Sequence, residues 1–369
     1  MVKAYRYRLY PDDEQQALLC QHSGVIRYVY NKGLEYRSKA YKRRGESINY
    51  CGTNNLLNIL KKSKPWLKEP YSQSLQMALR NLDAAFTNFF RAPDRFGYPR
   101  FRKKGGKERI QYPQNCRADS QNQMLYLPKI GWVPCVFHRR FRGKIKTVTV
   151  SLEPSGAVYA SVLVDDGMSG KEKQPLPVNS EADVLGVDAG VKTLAACSDG
   201  TEYGNSRNLA KSEKRLKKEQ RNLSRKKKGS KNREKQRIRV ARISEKIANQ
   251  RKDAIEKATK DIAGKSHAAV AIEDLNVKGM QKNHSLAKAV GDASMSLFLS
   301  RLESKCAAAG KTVVRVSRWF ASSQACSCCG YVNKEVKDLS IREWECPVCH
   351  TRHGRDANAS LNIAVRGIA

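Results

Sequence analysis

The spacing of apolar positions changes along the chain, and each change marks a different kind of element. At the N-terminus AYRYRLY alternates with period two, as a strand does. Pro11 and Asp12 then open a helix, with Asp12 and Gln15 spaced as a capping box. Leu18, Leu19, Val25, Ile26 and Val29 continue one helical face to about residue 42. A second helix is predicted over residues 53–62. A third begins near Ser72 and turns Leu75, Leu79, Leu82, Phe86 and Phe89 to one side, the pattern of core packing. Beyond a basic connector, RFGYPRFRKKGGK, period two returns over residues 110–164 in MLYLPKIGWV, KTVTVSL and AVYASVLV. These short runs predict a small β-barrel that the first strand completes, with the helices inserted within it.

A polar, Pro-containing linker covers residues 165–182. Two apolar runs follow, VLGVDAG and TLAACS, and then a long helical stretch. Leu209, Leu216 and Leu223 recur at sevens on its first arm, and Val240, Ile243 and Ile247 line the second. RKKKGSKNREK reads as the tip between two antiparallel helices. AAVAIEDL is a buried strand, SLFLSRLESKCAAAG an amphipathic helix ending at Gly310, KTVVRVSRW another strand, and residues 357–365 a last short helix. Strand, strand, helices, strand, helix, strand, helix is the order of an RNase H-like fold.

Charge narrows the function. The 369 residues carry 70 Lys+Arg against 35 Asp+Glu, a formal net charge of +35. Such an excess implies a polyanionic partner, since neutralising phosphates releases counterions. Residues 207–252 hold twenty Lys or Arg, and one sign over so long a stretch favours a phosphate-tracking surface over a merely solvated face. Arg225, Lys226, Lys227 and Lys228 at its tip are candidate nucleic-acid contacts. No apolar run reaches 18 residues and MVKAYRYRLYPDDEQQ lacks a secretory apolar core, so neither membrane insertion nor export is expected.

Of eleven cysteines, five fall between residues 326 and 349, a pattern of one metal site in a reducing cytosol. Cys326-x2-Cys329 and Cys346-x2-Cys349 stand sixteen residues apart, the spacing of two knuckles closing one structural Zn²⁺ site. Cys328, His350 and His353 compete as ligands, and Trp344 falls in the hairpin between the knuckles.

Three acids complete the chemistry. Asp188 and Glu273 end the apolar runs VLGVDAG and AVAIEDL, and Asp356 follows the cysteines in HGRDANAS. One carboxylate at a strand end is an ordinary solvated loop residue. Three in this order, aimed at one sheet edge, repel one another and call for cations in the gap. They predict a pair of catalytic Mg²⁺ ions held by Asp188, Glu273 and Asp356, one activating water and one stabilising a departing 3′-oxygen. Asn358 is a candidate for orienting a ligand or the scissile phosphate. In a chain this basic the phosphodiester is nucleic acid.

VLGVDAGVKTLAACSDG, VAIEDLNVKGM, SSQACSCCG, REWECPVCH and HGRDANASLNIA resemble the signature blocks of the TnpB family, transposon-encoded RNA-guided nucleases related to type V CRISPR effectors. YRLYP, RNLDAAFTNFFR, GYPRFRKK and LPKIGW extend the resemblance over nearly the whole chain. It implies an α+β multidomain protein: a wedge-like β-barrel at residues 1–10 and 93–170, a helical recognition domain inserted at 11–92, an RNase H-like RuvC nuclease domain at 182–320 and 354–369, and a zinc ribbon at 321–353. It implies that Asp188, Glu273 and Asp356 are RuvC-type catalytic acids and that Cys326, Cys329, Cys346 and Cys349 bind zinc. The family usually reads His-Asp-Arg-Asp before the last block, and here Gly354 replaces the first acid.

The implied partners are a guide RNA from the transposon end and double-stranded target DNA carrying a short adjacent motif, bound by a monomer in the prokaryotic cytosol at the nucleoid. Tyr50, Thr53 and Gln76 are candidate readers of that motif, from the chemistry of base edges. Arg102, Lys103 and Lys104 are candidate phosphate contacts. The main rival is a nuclease-inactive RNA-guided repressor, which would lack the acid triad. A strand-joining transposase would need a His-hydrophobic-His pair with a catalytic Tyr, and a plain basic RNA-binding protein leaves the acids unexplained.

Overall fold

The alternating N-terminal run forms strand β1 (Val2–Leu9). Asp12 caps the helix α1 (Asp13–Arg44) through the expected box, accepting from the Gln15 N–H while the Gln15 side chain accepts from the Asp12 N–H. Helices α2 (Tyr50–Ser63) and α3 (Ser72–Arg91) follow, and then strands β2 (Glu108–Tyr112), β3 (Arg117–Asp119), β4 (Met124–Leu127), β5 (Gly131–Val136), β6 (Lys144–Leu152) and β7 (Val158–Asp165). The computed structural model describes residues 2–167, 176–338 and 340–368, so the middle of the linker expected at 165–182 lies outside the described residues. The chain separates into two compact units, residues 1–170 and 171–369.

In the first unit all seven strands form one antiparallel sheet in the order β2-β6-β7-β1-β5-β4-β3. Strand β1 lies inside it, pairing Val2 with Asp165 and Leu9 with both Val158 and Cys135. Alternate residues of β7, Val158, Ala160, Val162 and Val164, are buried with Val148 and Val150 of β6. Leu19, Ile26 and Val29 of α1 and Leu75, Leu79 and Leu82 of α3 join them in one apolar cluster. Two residues of the predicted stripes sit differently: Leu18 is exposed and Phe89 is only half-buried. The expected small β-barrel is a half-barrel sheet among the described residues, with short β2 and β3 at its two ends. Helices bury one face, so closure is not needed to remove that surface from water.

The second unit comprises β8 (Val184–Asp188), β9 (Thr193–Cys197), β10 (Glu202–Gly204), α4 (Asn208–Ser224), α5 (Lys231–Gly264), β11 (Ala269–Glu273), α6 (Val277–Lys282), α7 (Ala287–Ala293), α8 (Met295–Ala309), β12 (Thr312–Val316), β13 (Glu343–Glu345), β14 (Arg352–Gly354) and α9 (Arg355–Arg366). Its main sheet has the order β10-β9-β8-β11-β12, with β8, β11 and β12 parallel and β9 and β10 antiparallel. A parallel core must be covered on both faces. Leu185, Val187, Val270 and Ile272 pack against α5 and α8 through Ile255, Ile262, Phe298 and Leu302. The other face is small, with Val184, Ala269 and Ala271 meeting Ile363 of α9.

Gly186 sets how close α9 comes. A Cβ there would overlap the Ser360 carbonyl and lie 2.6 Å from the Ala364 nitrogen, so only glycine lets the helix rest on β8. Helices α4 and α5 form the basic hairpin, with Leu209, Leu216 and Leu223 half-buried against an α5 face containing buried Ile247. Among the described residues, no helix is long and apolar enough to cross a membrane.

Candidate functional site

Parallel pairing decides where the acids fall. Val187 of β8 stands beside Ile272 of β11, so the next residues, Asp188 and Glu273, leave the sheet at the same carboxyl edge. Asp356 occupies the first turn of α9, the helix resting on β8. All three line one cleft of about 770 Å³, with Lys192, Lys288 and Arg342 on its walls. Burial, reinforced by the fields of Glu273 and Asp356 and opposed by Arg355, raises the Asp188 carboxyl to about 7. Burial also raises Glu273, against a hydrogen bond donated by the Ser322 hydroxyl. Arg342 Nη1 lies 3.5 Å from Asp356 Oδ1. Three carboxylates on one cleft, with the other two acting on Asp188, are hard oxygen donors of the kind a divalent cation such as magnesium takes. Ser322 and Arg342 were not legible in advance, since nothing in SSQAC or REWEC says which side chain turns toward the acids.

The cysteines form the tighter cluster. Ligand atoms of Cys326, Cys329, Cys346 and Cys349 all lie within 4.8 Å of one another. Cys326 Sγ to Cys349 Sγ and Cys329 Sγ to Cys346 Sγ are both 3.5 Å. A tetrahedron with arms of about 2.3 Å has edges of about 3.8 Å, so the thiols fit Zn²⁺. Cys328 is exposed and outside the group.

The two histidines have other places. The fourth residue after each leading cysteine is left-handed, Gly330 at φ 78° and His350 at φ 57°, and each donates its N–H to that cysteine's carbonyl. His350 is therefore the turn residue of the second knuckle, with its side chain mostly in solvent. His353 is buried, with Nε2 3.0 Å from Cys326 Sγ and its ring against Trp344 across the β13–β14 pair.

Asn358 is not in the cleft wall as a free amide. It is 1% exposed and its side chain is bonded to the first knuckle, so it does not present a group to a substrate phosphate. Thr53 is likewise 1% exposed and donates its hydroxyl to the Tyr50 carbonyl at 2.8 Å, because α2 packs that face inward. It has no atom to offer a base edge.

Tyr50 opens α2 half-buried beneath the Arg80 guanidinium, 5.1 Å from its ring centroid. Gln76 is half-buried in α3. Arg102 stacks on Tyr30 at 3.8 Å, and Lys103 and Lys104 are exposed beside it. Arg225, Lys227 and Lys228 are exposed and Lys226 half-buried in the loop between α4 and α5.

The OrfB_IS605 profile, described as a probable transposase, matches residues 165–284, and the Cas12f1-like TNB domain matches 296–363. An OrfB_IS605 helix-turn-helix profile matches 1–46, where the structure has one strand and one long helix. A solved Cas12f1 chain, from a complex with sgRNA and target DNA, aligns with a TM-score of 0.54 over 99% of this chain and 98% of that one at 14% identity, a likeness of fold. A Streptomyces pristinaespiralis protein named "Putative RNA-guided DNA endonuclease" is 36% identical over 100% of this chain and 90% of its own length. InsQ of Escherichia coli K12, named in the same words, is 32% identical over 100% of this chain and 93% of its own length. With two relatives at that identity along its full length, this chain belongs to the TnpB/InsQ family of transposon-encoded proteins.

Proposed function

We propose that the protein is an RNA-guided DNA endonuclease of a transposable element, cutting target DNA beside a short adjacent motif in a RuvC-type, magnesium-dependent centre. The observation that carries this reading is the convergence of Asp188, Glu273 and Asp356, from three distant segments, on one cleft. The strand order β10-β9-β8-β11-β12 supports an RNase H-like frame for it. Asp188, Glu273 and Asp356 would hold two Mg²⁺, which would supply an activated water and charge compensation at a departing 3′-oxygen. Adjacent strand ends hold Asp188 and Glu273, and the Ser322 hydroxyl orients Glu273. Arg342, Lys192 and Lys288 give the cleft positive groups for the phosphates flanking the cut.

The basic α4–α5 hairpin follows the backbone of a guide RNA, which reads the target by base pairing. One protein binds one RNA, and one nuclease centre cuts both strands in turn. The ribbon thiols hold one structural Zn²⁺. Retention of all three acids weighs against a nuclease-inactive repressor.

The test is to purify the protein, sequence the RNA that accompanies it, and offer DNA matched to that RNA beside a randomised flank. Cleavage that needs magnesium, the match and a particular flank is the expected result. Tight binding of matched DNA without cleavage would shift the reading to a repressor, and absence of any defined RNA would end it.

A further inference from the structure

Helix α9 carries Asp356 on its first turn and buries two amides on the side facing the ribbon. Asn358 is 1% exposed and Asn362 is 8% exposed. Asn358 Oδ1 accepts from the Ser327 N–H at 3.0 Å, and its Nδ2 donates to the Ala325 carbonyl at 2.7 Å. The same carbonyl accepts from Asn362 Nδ2 at 2.7 Å, and that nitrogen also donates to the Ser322 carbonyl at 2.8 Å. Ala325 and Ser327 flank Cys326, so one amide brackets a zinc-site thiol on both sides. Ser322 is the residue whose hydroxyl bonds Glu273. One helix face thus reaches a cysteine of the ribbon and the prop of a second acid. Arg355 adds a bond from Nη1 to the Asp338 carbonyl at 2.6 Å, in the stretch between the knuckles.

We infer that Asn358 and Asn362 are positioning residues that lock the first knuckle to the acid-bearing helix, so that the metal-filled ribbon sets the placement of Asp356 and Glu273. This rests on the nuclease reading above. An amide is required at 358 because it must accept and donate at once. A carboxylate of the same size would keep the Ser327 bond and set an oxygen against the Ala325 carbonyl. An alanine would leave the partly buried Ser327 N–H without its partner and take one of the two amide donors from the Ala325 carbonyl, a loss that is costly where water is restricted.

The experiment uses the full-length ribonucleoprotein with Asn358→Ala, Asn358→Asp and Asn362→Ala. Three quantities are read: the rate of zinc release to an excess of chromogenic chelator, the single-turnover rate of cleavage of matched DNA, and the Kd for that DNA. Partners of metal ligands are worth roughly 10–100-fold in metal retention. Asn358→Ala is expected to release zinc about tenfold faster and to cleave about tenfold more slowly with Kd unchanged. Asn358→Asp should fall between it and the parent. Asn362→Ala leaves the Asn358 bracket intact, so it should slow cleavage through Ser322 and Glu273 with a smaller change in zinc release. Zinc release at the parent rate in Asn358→Ala overturns the inference, as does faster release with undiminished cleavage. If the parent itself cleaves no matched DNA, the nuclease reading fails, while the zinc-release arm still decides whether the amides hold the knuckle.

Discussion

The four thiols of the ribbon and the three carboxylates of the cleft belong to one unit of the chain, but they are assembled in opposite ways. The thiols come from two local knuckles and sit within 4.8 Å of one another, with Cys326 and Cys346 buried alongside Trp344 and Val336 and His353 against Cys326. The carboxylates come from two strand ends and a helix and line an open cleft, where burial first, and then Glu273 and Asp356, raises the Asp188 carboxyl to about 7. A closed soft site is a folding device, whereas an open hard site stores repulsion that folding must overcome. What strains the second cluster is what lets it take up cations and a phosphate.

The sharpest way to break the contrast is Asp188→Asn. Cleavage should fall on the order of 10³-fold or more while target binding persists, because a ligand is lost and no basic surface is touched. The same substitution should raise the melting temperature in magnesium-free buffer at pH 8, since it removes a charge penalised by burial and two acidic neighbours. A lower melting temperature there would mean the acids are not in mutual conflict. Cys326→Ser should do the reverse, lowering the melting temperature on the order of 10 °C by calorimetry with or without magnesium, since the ribbon contributes to folding through its metal.

pH sharpens the comparison further. Folding lifts Asp188 from its ordinary 3.8 to about 7, so the folded state keeps a proton that the unfolded chain has released. In magnesium-free buffer its contribution to stability is fully present below about pH 4 and is lost as pH rises toward 7. The melting temperature of the parent minus that of Asp188→Asn should therefore fall across that window, whatever the carboxylates common to both add. Equal slopes would remove Asp188 as the cause.

Two smaller substitutions probe the connectors. His350 holds a left-handed turn at φ 57°, so His350→Gly should stabilise by about 1 kcal/mol in denaturant titration. Gly354 is the N-cap of α9 without a capping side chain, and a Cβ there would meet nothing closer than 4.0 Å. Gly354→Asp should therefore add a few tenths of a kcal/mol without a comparable change in cleavage rate. The acid usual at this family position then reads as a helix cap.

What the sequence disclosed follows from how local each signal is. The knuckles, the Asp12 cap and the Gly310 stop are written within a few residues, and the structure has the last two where the spacing puts them. The carboxylates of Asp188 and Glu273 were readable as strand ends because apolar runs stop there. Nonlocal facts were not readable. Alternating strands in the first unit do not reveal whether a sheet closes. Strand β10 has only three residues, and α6 and α7 are short segments containing Gly279 and Gly291. Thr53 and Asn358 look like surface polar residues until the neighbouring elements bury them. Asn358 and Asn362 do stand one helical turn apart, a faint sign of a shared face.

One consequence lies in the placement of β1. It leaves the ribosome before every other strand of its sheet, but its partners are Val158–Asp165 along its length and Val136 and Cys135 at its end. During synthesis it must wait, unpaired, while α1, α2 and α3 emerge and fold from local contacts. A tyrosine- and arginine-rich strand tolerates that delay better than a wholly apolar one. The opening AYRYRLY is thus suited to exposure in the nascent chain as well as to the middle of the finished sheet.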